Sequence, residues 1–163
     1  MLKYNKILIN STFTLLYKKA YHIFYLSYDG LSDPLGQSQI LPYLFGLAKG
    51  VKYNITMVSF EKAKNFKPNQ EIILKKINEN EINWFPITYT KNPPILSTFL
   101  DILKLNRILK NVLKSQKIDL FHCRSYITSL VALSLKKKYH IPFIFDMRGF
   151  YADERVDGKL WDK

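Results

Sequence analysis

The sequence predicts an α/β domain in which a mostly parallel sheet is covered by helices on both faces. Short runs rich in aromatic and β-branched residues alternate along the chain with longer runs of helical periodicity, the order typical of parallel sheets. A length of 163 residues with 47% hydrophobic residues suits one domain with a substantial core. The only cysteine, Cys123, has no partner for an internal disulfide, so the fold does not depend on an oxidising compartment.

Five segments have the composition of strands, each bounded by polar or turn-forming residues. They are Tyr21–Tyr28, Tyr53–Phe60, Ile82–Thr88, Asp119–Cys123 and Pro142–Met147. Pro86 predicts that the third strand lies at an edge of the sheet, because proline has no N–H to donate to a central ladder.

Four segments between the strands have helical spacing of apolar residues. They are Gln37–Lys49, Asn69–Asn80, Leu96–Lys117 and Ile127–Tyr139. Pro42 is tolerated only in a first turn, so the first helix should begin close to Gln39. In the third helix we expect a buried face made of Leu100, Leu103, Leu105, Ile108, Leu109, Val112 and Leu113.

The charge of +12 indicates either an anionic partner or a solvated surface of lysines. The third helix should carry one basic face, to which Lys136–Lys138 could add, made of Lys104, Arg107, Lys110, Lys114 and Lys117. Such a face suits peripheral contact with anionic lipid, and a solvated face remains the alternative. Strand ends that lack interleaved aromatic and basic residues argue against nucleic acid as a partner.

Residues 1–20 fit the strand–helix alternation poorly and are interpreted as an N-terminal extension. Their apolar stretch, residues 7–17, is interrupted by polar residues and is followed by two lysines without a small-residue cleavage site, unlike a signal peptide. No run of about 18 uncharged apolar residues is present. We therefore expect a cytoplasmic protein, with the inner membrane face as the place of any lipid contact.

The predicted carboxyl ends of the strands carry most of the unusual polar residues. In open α/β sheets ligands bind beyond these ends, near the point where the strand order reverses. The polar groups are Asp29-Gly30, Glu61, Tyr89–Lys91, His122–Ser125 and Asp146–Gly149. Their convergence on one rim predicts a binding site there.

The loop from Asp29 to Gln39 contains two glycines, Gly30 and Gly36, with Gln37 directly after the second. Glycine before a helix lets backbone N–H groups approach a phosphate or carboxylate, and a structural turn is the alternative. The loop matches neither the dinucleotide-binding fingerprint nor the Walker A motif, so no nucleotide cofactor is expected from it.

His122 and Arg124 should point to one side of the fourth strand and Cys123 to the other, because side chains alternate along a strand. Cys123 is therefore expected to be a buried core thiol rather than a nucleophile paired with His122. With one cysteine and three histidines, the chain offers no clear set of zinc ligands, and we expect no metal.

Beyond the fifth strand, Asp146, Arg148, Glu154 and Arg155 follow a very apolar run. Asp146 needs a partner because an isolated buried carboxylate is costly. An ion pair within this group is one interpretation. The other is that Arg148 presents its planar donor fork to an anionic or hydroxyl-rich substrate.

Four motifs in this order resemble the N-terminal domain of family 4 glycosyltransferases. They are Leu26–Gly30, Pro34–Gln39, His122–Ser125 and Phe145–Gly149, and the resemblance covers residues 21–163. It implies the GT-B architecture, two Rossmann-like domains facing across a cleft, and transfer of a sugar from a nucleotide-sugar donor with retention of configuration. The acceptor, a glycan or a lipid-linked sugar of the kind used in polysaccharide biosynthesis, would bind to the domain represented here, with no cofactor or catalytic metal.

The resemblance places the loop Gly30–Gln39 near the donor diphosphate and Asp146–Gly149 at the reaction centre. We expect Asp146 and Arg148 to be catalytic. The residues expected to bind substrate are Asp29, Gly30, Gly36, Gln37, His122, Arg124, Ser125, Gly149 and Glu154. Many relatives carry a His-Asp pair where this chain has Phe145-Asp146, so the role of that histidine is unassigned.

Residues 21–163 should form an incomplete acceptor-side domain without the donor-binding domain, and the chain should be inactive alone. The competing interpretation is a non-catalytic basic α/β module that associates with a membrane surface or a partner protein.

Overall fold

The computed structural model describes residues 21–49, 53–93, 96–150 and 158. The strands are β1 Tyr21–Ser27, β2 Tyr53–Glu61, β3 Asn83–Thr88, β4 Leu120–Arg124 and β5 Phe143–Asp146. The helices are α1 Leu41–Ala48, α2 Ala63–Glu79, α3 Leu96–Val112 and α4 Tyr126–Tyr139, and a π-helical turn at Gly36–Ile40 precedes α1. The predicted extension 1–20 and Glu154 lie outside the described residues.

All five strands are parallel and lie in the order β3-β2-β1-β4-β5. The chain moves outward from β1 to β3 and then crosses back to place β4 on the other side of β1. The order therefore reverses between β1 and β4, which is the usual place of a ligand crevice in a doubly wound sheet. These findings confirm the predicted α/β, Rossmann-like fold and the edge position of β3.

Each face of the sheet has its own hydrophobic core. On β1, Phe24 and Leu26 face α3 and α4, whereas Tyr25 faces α1 and α2. Cys123 lies in the first core and is fully buried, as predicted. Burial raises the pKa of its thiol to about 12, so the sulfur is protonated and poorly nucleophilic at neutral pH.

Two helix boundaries differ from the sequence prediction. α2 begins at Ala63 rather than Asn69 and continues through Pro68, while its inner residues Ile73 and Ile77 are buried against the sheet. An interior proline costs a helix about 3 kcal/mol, and burial of that apolar face offsets this cost. The apolar spacing from which the helix was predicted marks only its inner part.

α3 ends at Val112 rather than Lys117, because the chain closes into turns there. Lys114 and Lys117 consequently lie beyond the helix and do not extend its basic face. Leu100 and Leu103, predicted to be buried, are 40% and 47% exposed. Leu105 and Leu109 are buried as predicted, and Ser97 and Asp101 complete the buried face.

The first helical segment begins earlier than the predicted start near Gln39. A π-helical turn at Gly36–Ile40 leads into α1, and the N–H of Leu41 donates to the carbonyl of Gly36. Pro42 lies in the first turn of α1, as predicted. No helix among the described residues combines the length and apolar composition needed to cross a membrane.

A buried carboxylate holds the loop between β1 and α1. Glu61, at the end of β2, is 3% exposed and accepts hydrogen bonds from the backbone N–H groups of Leu31 at 2.7 Å and Ser32 at 3.1 Å. It also accepts from the hydroxyls of Ser32 and Ser59. Four donors compensate the burial of this group, and the loop is thereby fixed to β2.

Gly36 closes the same loop by close packing. A Cβ at Gly36 would lie 2.1 Å from the carbonyl oxygen of Gly30 and 2.6 Å from Cα of Leu31. Both contacts are with backbone, so only a shift of the loop could relieve them. By contrast, a Cβ at Gly46 in α1 would meet nothing within 4 Å.

We expect Gly36→Ala to lower the free energy of unfolding by about 2–3 kcal/mol, the scale of an overpacked buried position. Gly46→Ala is the matched control and should be neutral or stabilising by up to about 1 kcal/mol, because alanine favours a helix interior. Urea denaturation of both variants measures the difference. Equal stability of the two variants would contradict the close packing at Gly36.

Candidate functional site

The carboxyl edge of the sheet, where the ends of β1, β4 and β5 lie side by side, brings together several predicted site residues. In the strand register, Ser27 pairs with Arg124 and Arg124 with Asp146. Two residues earlier on each strand, Tyr25 pairs with His122 and His122 with Ile144. Paired residues of parallel strands point to the same face, so Asp146 and His122 share the α1 side of the sheet.

A cavity of about 350 Å³ opens on this side of the sheet. It is lined by Tyr43, His122, Ile144, Phe145, Asp146 and Arg148. The lining combines aromatic and aliphatic surface with a carboxylate and a guanidinium, the mixture typical of small-molecule sites. Tyr43 is 44% exposed, so its ring is accessible to a ligand.

Asp146 lies between two basic side chains in the cavity. Its Oδ2 is 3.8 Å from Nε2 of His122 and 3.6 Å from Nε of Arg148. Both distances exceed those of good hydrogen bonds, so the carboxylate retains capacity to accept a hydrogen bond from a ligand. The Asp146–Arg148 ion pair considered from the sequence is present, and its partly exposed position makes it worth little for stability.

The buried ring of His122 packs at an angle against two aromatic rings. Its centroid lies 4.6 Å from that of Tyr25 and 5.5 Å from that of Tyr43. Burial lowers the pKa of His122 below its usual range, although the charge of Asp146 opposes this shift. The imidazole is therefore neutral at pH 7 and has one N–H donor and one nitrogen acceptor.

The two tyrosines of the site were missed in the sequence. Tyr25 lies in the middle of an apolar run, and Tyr43 lies in an amphipathic helix, so both resembled core residues. Burial raises the pKa of Tyr25 to about 12 and also raises that of Tyr43, which keeps both phenols neutral. The signal available in the sequence was the alternation of side chains along β1, which places Tyr25 on the same face of the strand as Ser27.

Arg124 lies beneath the rim rather than in the cavity. Its Nη2 donates to Oε1 of Gln39 at 2.8 Å, and its Nε is 3.5 Å from Oδ2 of Asp29. The residue is 3% exposed, and Nε and Nη1 make no hydrogen bond to any described residue. This geometry favours a role in holding Asp29 and Gln39 in place.

The loop residues predicted to approach a ligand are packed against the protein itself. Gly36 is buried against Gly30, as described above, and the backbone N–H of Gln37 donates to the carbonyl of Asp33 at 3.0 Å. The side chain of Gln37 donates to the carbonyl of Ser32 at 3.3 Å. These contacts favour the structural-turn interpretation of the two glycines.

Asp33 fastens the other side of the loop. It accepts hydrogen bonds at 2.7 Å from both Lys62 and Asn65 at the start of α2. Partial burial opposes ionisation, but these donors outweigh it and hold the pKa of Asp33 below its usual value. The loop is thus tied to both β2 and α2.

Ser125 adopts a strained backbone conformation at the end of β4. Its φ of 76° and ψ of 174° lie in a region occupied almost only by glycine. Its N–H donates to the carbonyl of Asp146 at 3.1 Å. The next residue, Tyr126, donates its hydroxyl to the carbonyl of Gly149 at 3.2 Å. Both contacts connect the start of α4 to the segment that carries Asp146 and Arg148.

Among the described residues, no three His, Cys, Asp or Glu side chains cluster as metal ligands. The expectation that no metal takes part stays a prediction.

The comparisons with known proteins establish the fold. No protein-family model matches the chain, and no curated protein matches it. The C-terminal domain of PF1911 hydrogenase from Pyrococcus furiosus is similar in structure, with 14% identity over 80% of this chain and 93% of that domain and a TM-score of 0.56.

Two sugar-transferring proteins are also similar in structure. The glycotransferase of kitacinnamycin matches at 15% identity over 86% of this chain, with a TM-score of 0.52. UGT2 of Phytolacca americana, solved with UDP-2fluoro-glucose and pterostilbene, matches at 11% identity over 80% of this chain, with a TM-score of 0.53. The matches cover 35% and 31% of those two chains. At these identities the similarity concerns the α/β fold alone.

The charges around His122 make opposite predictions for two variants. Asp146→Asn removes the charge that raises the pKa of His122, so that pKa should fall further. Arg148→Gln removes a positive charge that lowers it, so the pKa should rise. NMR titration of the His122 ring protons measures both shifts, with Lys75→Gln on α2 as a control that leaves the titration unchanged. Shifts of both variants in the same direction would contradict the arrangement.

Proposed function

We propose that this chain is the acceptor-side domain of a sugar transferase and that its acceptor binds in the cavity beside Asp146. The cavity carries the proposal, because it holds a carboxylate, a guanidinium and a neutral imidazole against exposed aromatic surface. Its residue His122 lies on β4, which borders the switch point of the sheet. The resemblance of four motifs to family 4 glycosyltransferases and the structural similarity to two sugar-transferring proteins support it.

The chemistry of the cavity suits a hydroxyl-bearing sugar, free or lipid-linked. Sugar rings present hydroxyls at their edges and apolar C–H surface on their faces. The face can pack on Tyr43, while the hydroxyls exchange hydrogen bonds with Asp146, Arg148 and His122. The neutral state of His122 lets it either donate to or accept from a hydroxyl.

In the proposed reaction, the bond between the anomeric carbon and the donor diphosphate breaks, and a bond from that carbon to the acceptor oxygen forms on the same face of the sugar. The diphosphate departs with the electron pair of the broken bond, and it takes up the proton that the acceptor hydroxyl loses in this step. Asp146 accepts a hydrogen bond from that hydroxyl or stabilises the positive charge that develops on the sugar, while Arg148 orients an anionic or hydroxyl group. No metal and no cofactor take part.

The donor is a nucleotide sugar held by a second, Rossmann-like domain, with the rim formed by Asp29 and the loop Gly30–Gln39 facing its diphosphate. The buried contacts of Glu61 and Arg124 keep this rim rigid. Rigid placement matters because transfer requires both substrates in one geometry. Ser125 and Gly149 support the adjoining segment through the contacts described above.

The first test is binding by the isolated chain. Ligand-observed NMR with a panel of oligosaccharides and short-chain lipid-linked sugars should detect an acceptor, and Tyr43→Ala should weaken its binding about tenfold through loss of the apolar ring surface. Tyr53→Ala is the matched control, because Tyr53 is 41% exposed at the opposite edge of the sheet. Absence of any saccharide binding, or equal weakening by both variants, would contradict the acceptor site.

The second test is catalysis, measured with the chain combined with its donor-binding domain. Asp146→Asn should lower kcat by roughly 100-fold or more, the scale of a lost acid–base or electrostatic group. Arg148→Lys should also lower it, since an ammonium cannot reproduce the planar donor fork. Glu71→Gln on α2 should leave kcat unchanged, and all three variants should unfold at near-native temperature. Full activity of a folded Asp146→Asn variant would place the reaction elsewhere.

A further inference from the structure

The outer surface of α3 carries large apolar side chains in a row. Leu96, Phe99, Leu100 and Leu103 are 51%, 55%, 40% and 47% exposed. Their spacing of three and four residues puts them on one side of the helix, opposite its buried face. An isolated exposed leucine needs no explanation, but an unbroken row of four indicates a surface that is covered in use.

The neighbouring helix continues this surface. On α4, Leu130 and Leu133 are 56% and 41% exposed and lie opposite the buried residues Val131, Ala132 and Leu135. Both helices contribute to the same hydrophobic core on one face of the sheet, so their outer sides lie next to each other. We call Leu96, Phe99, Leu100, Leu103, Leu130 and Leu133 the α3–α4 stripe.

The charges around the stripe have one sign. Along the outer side of α3 the row continues with Arg107, and along α4 it continues with Lys137, each four residues beyond a leucine of the stripe. Both side chains are exposed, as are Lys136 and Lys138. The only acidic residue of the two helices, Asp101, is fully buried and bound to Tyr28, Thr90 and Lys104. The outer side of these two helices therefore shows no carboxylate.

We propose that the α3–α4 stripe docks onto an anionic lipid surface, with its apolar side chains entering the headgroup boundary and Arg107 and Lys137 meeting lipid phosphates. An apolar row bordered by basic residues without exposed acids is the pattern of helices that lie in a membrane interface. This inference is independent of sugar transfer.

Charge decides against two other occupants. A second copy of the chain would bring another net charge of +12 to a basic surface. Residues 1–20 carry Lys3, Lys6, Lys18 and Lys19 and no acidic residue, so they too would be repelled. Phosphates of anionic lipid have the complementary charge.

The inference relocates the basic surface expected from the sequence. Lys104 is bound to Asp101 and Thr90, and Lys117 is paired with Asp119 at 2.6 Å. These two lysines are thus engaged within the protein. The apolar row on α3, predicted in part to be core, takes their place as the main feature of the surface.

The test is co-sedimentation of the full chain with phosphatidylcholine vesicles, either pure or containing about 30% phosphatidylglycerol, at low and high salt. We expect binding to the anionic vesicles that falls as salt rises, and little binding to the neutral ones. No binding to anionic vesicles, or equal binding to both kinds, would overturn the proposal.

Variants separate the apolar and the basic parts of the surface. Phe99→Ser with Leu103→Ser should weaken binding to the anionic vesicles about tenfold or more. Arg107→Glu with Lys137→Glu should weaken the same binding to a similar extent. The matched controls lie on α2. Ile72→Ser with Leu74→Ser is the control for the apolar variant, because these side chains are 57% and 37% exposed, and Lys75→Glu with Lys76→Glu is the control for the charge variant. Both control pairs should bind like the original chain.

Two results would overturn the proposal even if vesicles bind. Loss of binding in the charge variant with full binding in the Phe99/Leu103 variant would mean that no apolar residue of the stripe enters lipid. A dimer that forms without vesicles and is abolished by the Phe99/Leu103 change, measured by light scattering, would identify a second copy as the occupant. Thermal unfolding of each variant confirms that the substituted exposed residues leave the fold intact.

Discussion

The arrangement of the carboxyl edge of the sheet depends on the hydrogen bonds that the side chain of Glu61 accepts. Buried at the end of β2, it binds the backbone of Leu31 and Ser32 and so fixes the loop that leads from β1 into the first helix. The position of that loop sets where α1 begins, and α1 carries Tyr43 against His122. One buried and fully hydrogen-bonded anion thus determines the shape of a cavity to which it contributes no surface.

A second buried carboxylate does the same for the next loop along the edge. Asp101 in α3 accepts hydrogen bonds from Tyr28, Thr90 and Lys104 and joins the ends of β1 and β3 to that helix. Neither acid lines the cavity, and both connect segments of the fold through backbone and side-chain hydrogen bonds. Asp146, whose contacts are long, lies instead at the rim and keeps capacity to bind a ligand. The buried Arg124 lies beneath it and supports the rim.

The two sides of the molecule differ in how they present polar and apolar groups. At the carboxyl edge, aromatic rings surround a neutral histidine and a carboxylate within a concave space. On the outer side of α3 and α4, exposed apolar side chains and basic residues lie together, and these two helices show no exposed acid. A concave mixed surface suits a small polar ligand, whereas an apolar and basic helix surface suits an extended anionic one. The two features are carried by opposite faces of the sheet and can act separately.

The sequence alone determined the fold class, the parallel order of strands and helices, the edge position of β3 and the burial of Cys123. These follow from local rules: the alternation of strand and helix periods, the missing N–H of Pro86, and the opposite orientation of successive strand residues. It also indicated that the polar residues after the strands meet at one edge, because parallel strands end together.

The contacts that each of these residues makes depend on how distant parts of the chain pack together. Arg124 donates a hydrogen bond to Gln39, which is 85 residues away in the sequence, and Leu31 donates one to Glu61 across 30 residues. No local sequence pattern specifies such contacts. The same holds for Gly36, whose need for glycine comes from the backbone of Gly30 packed against it. Burial of Leu100 and Leu103 failed as a prediction because α3 carries apolar residues on two sides, and only packing against the sheet makes the side of Leu105 the inner one. Side-chain partners and burial depend on long-range packing, and that information resides in the folded chain.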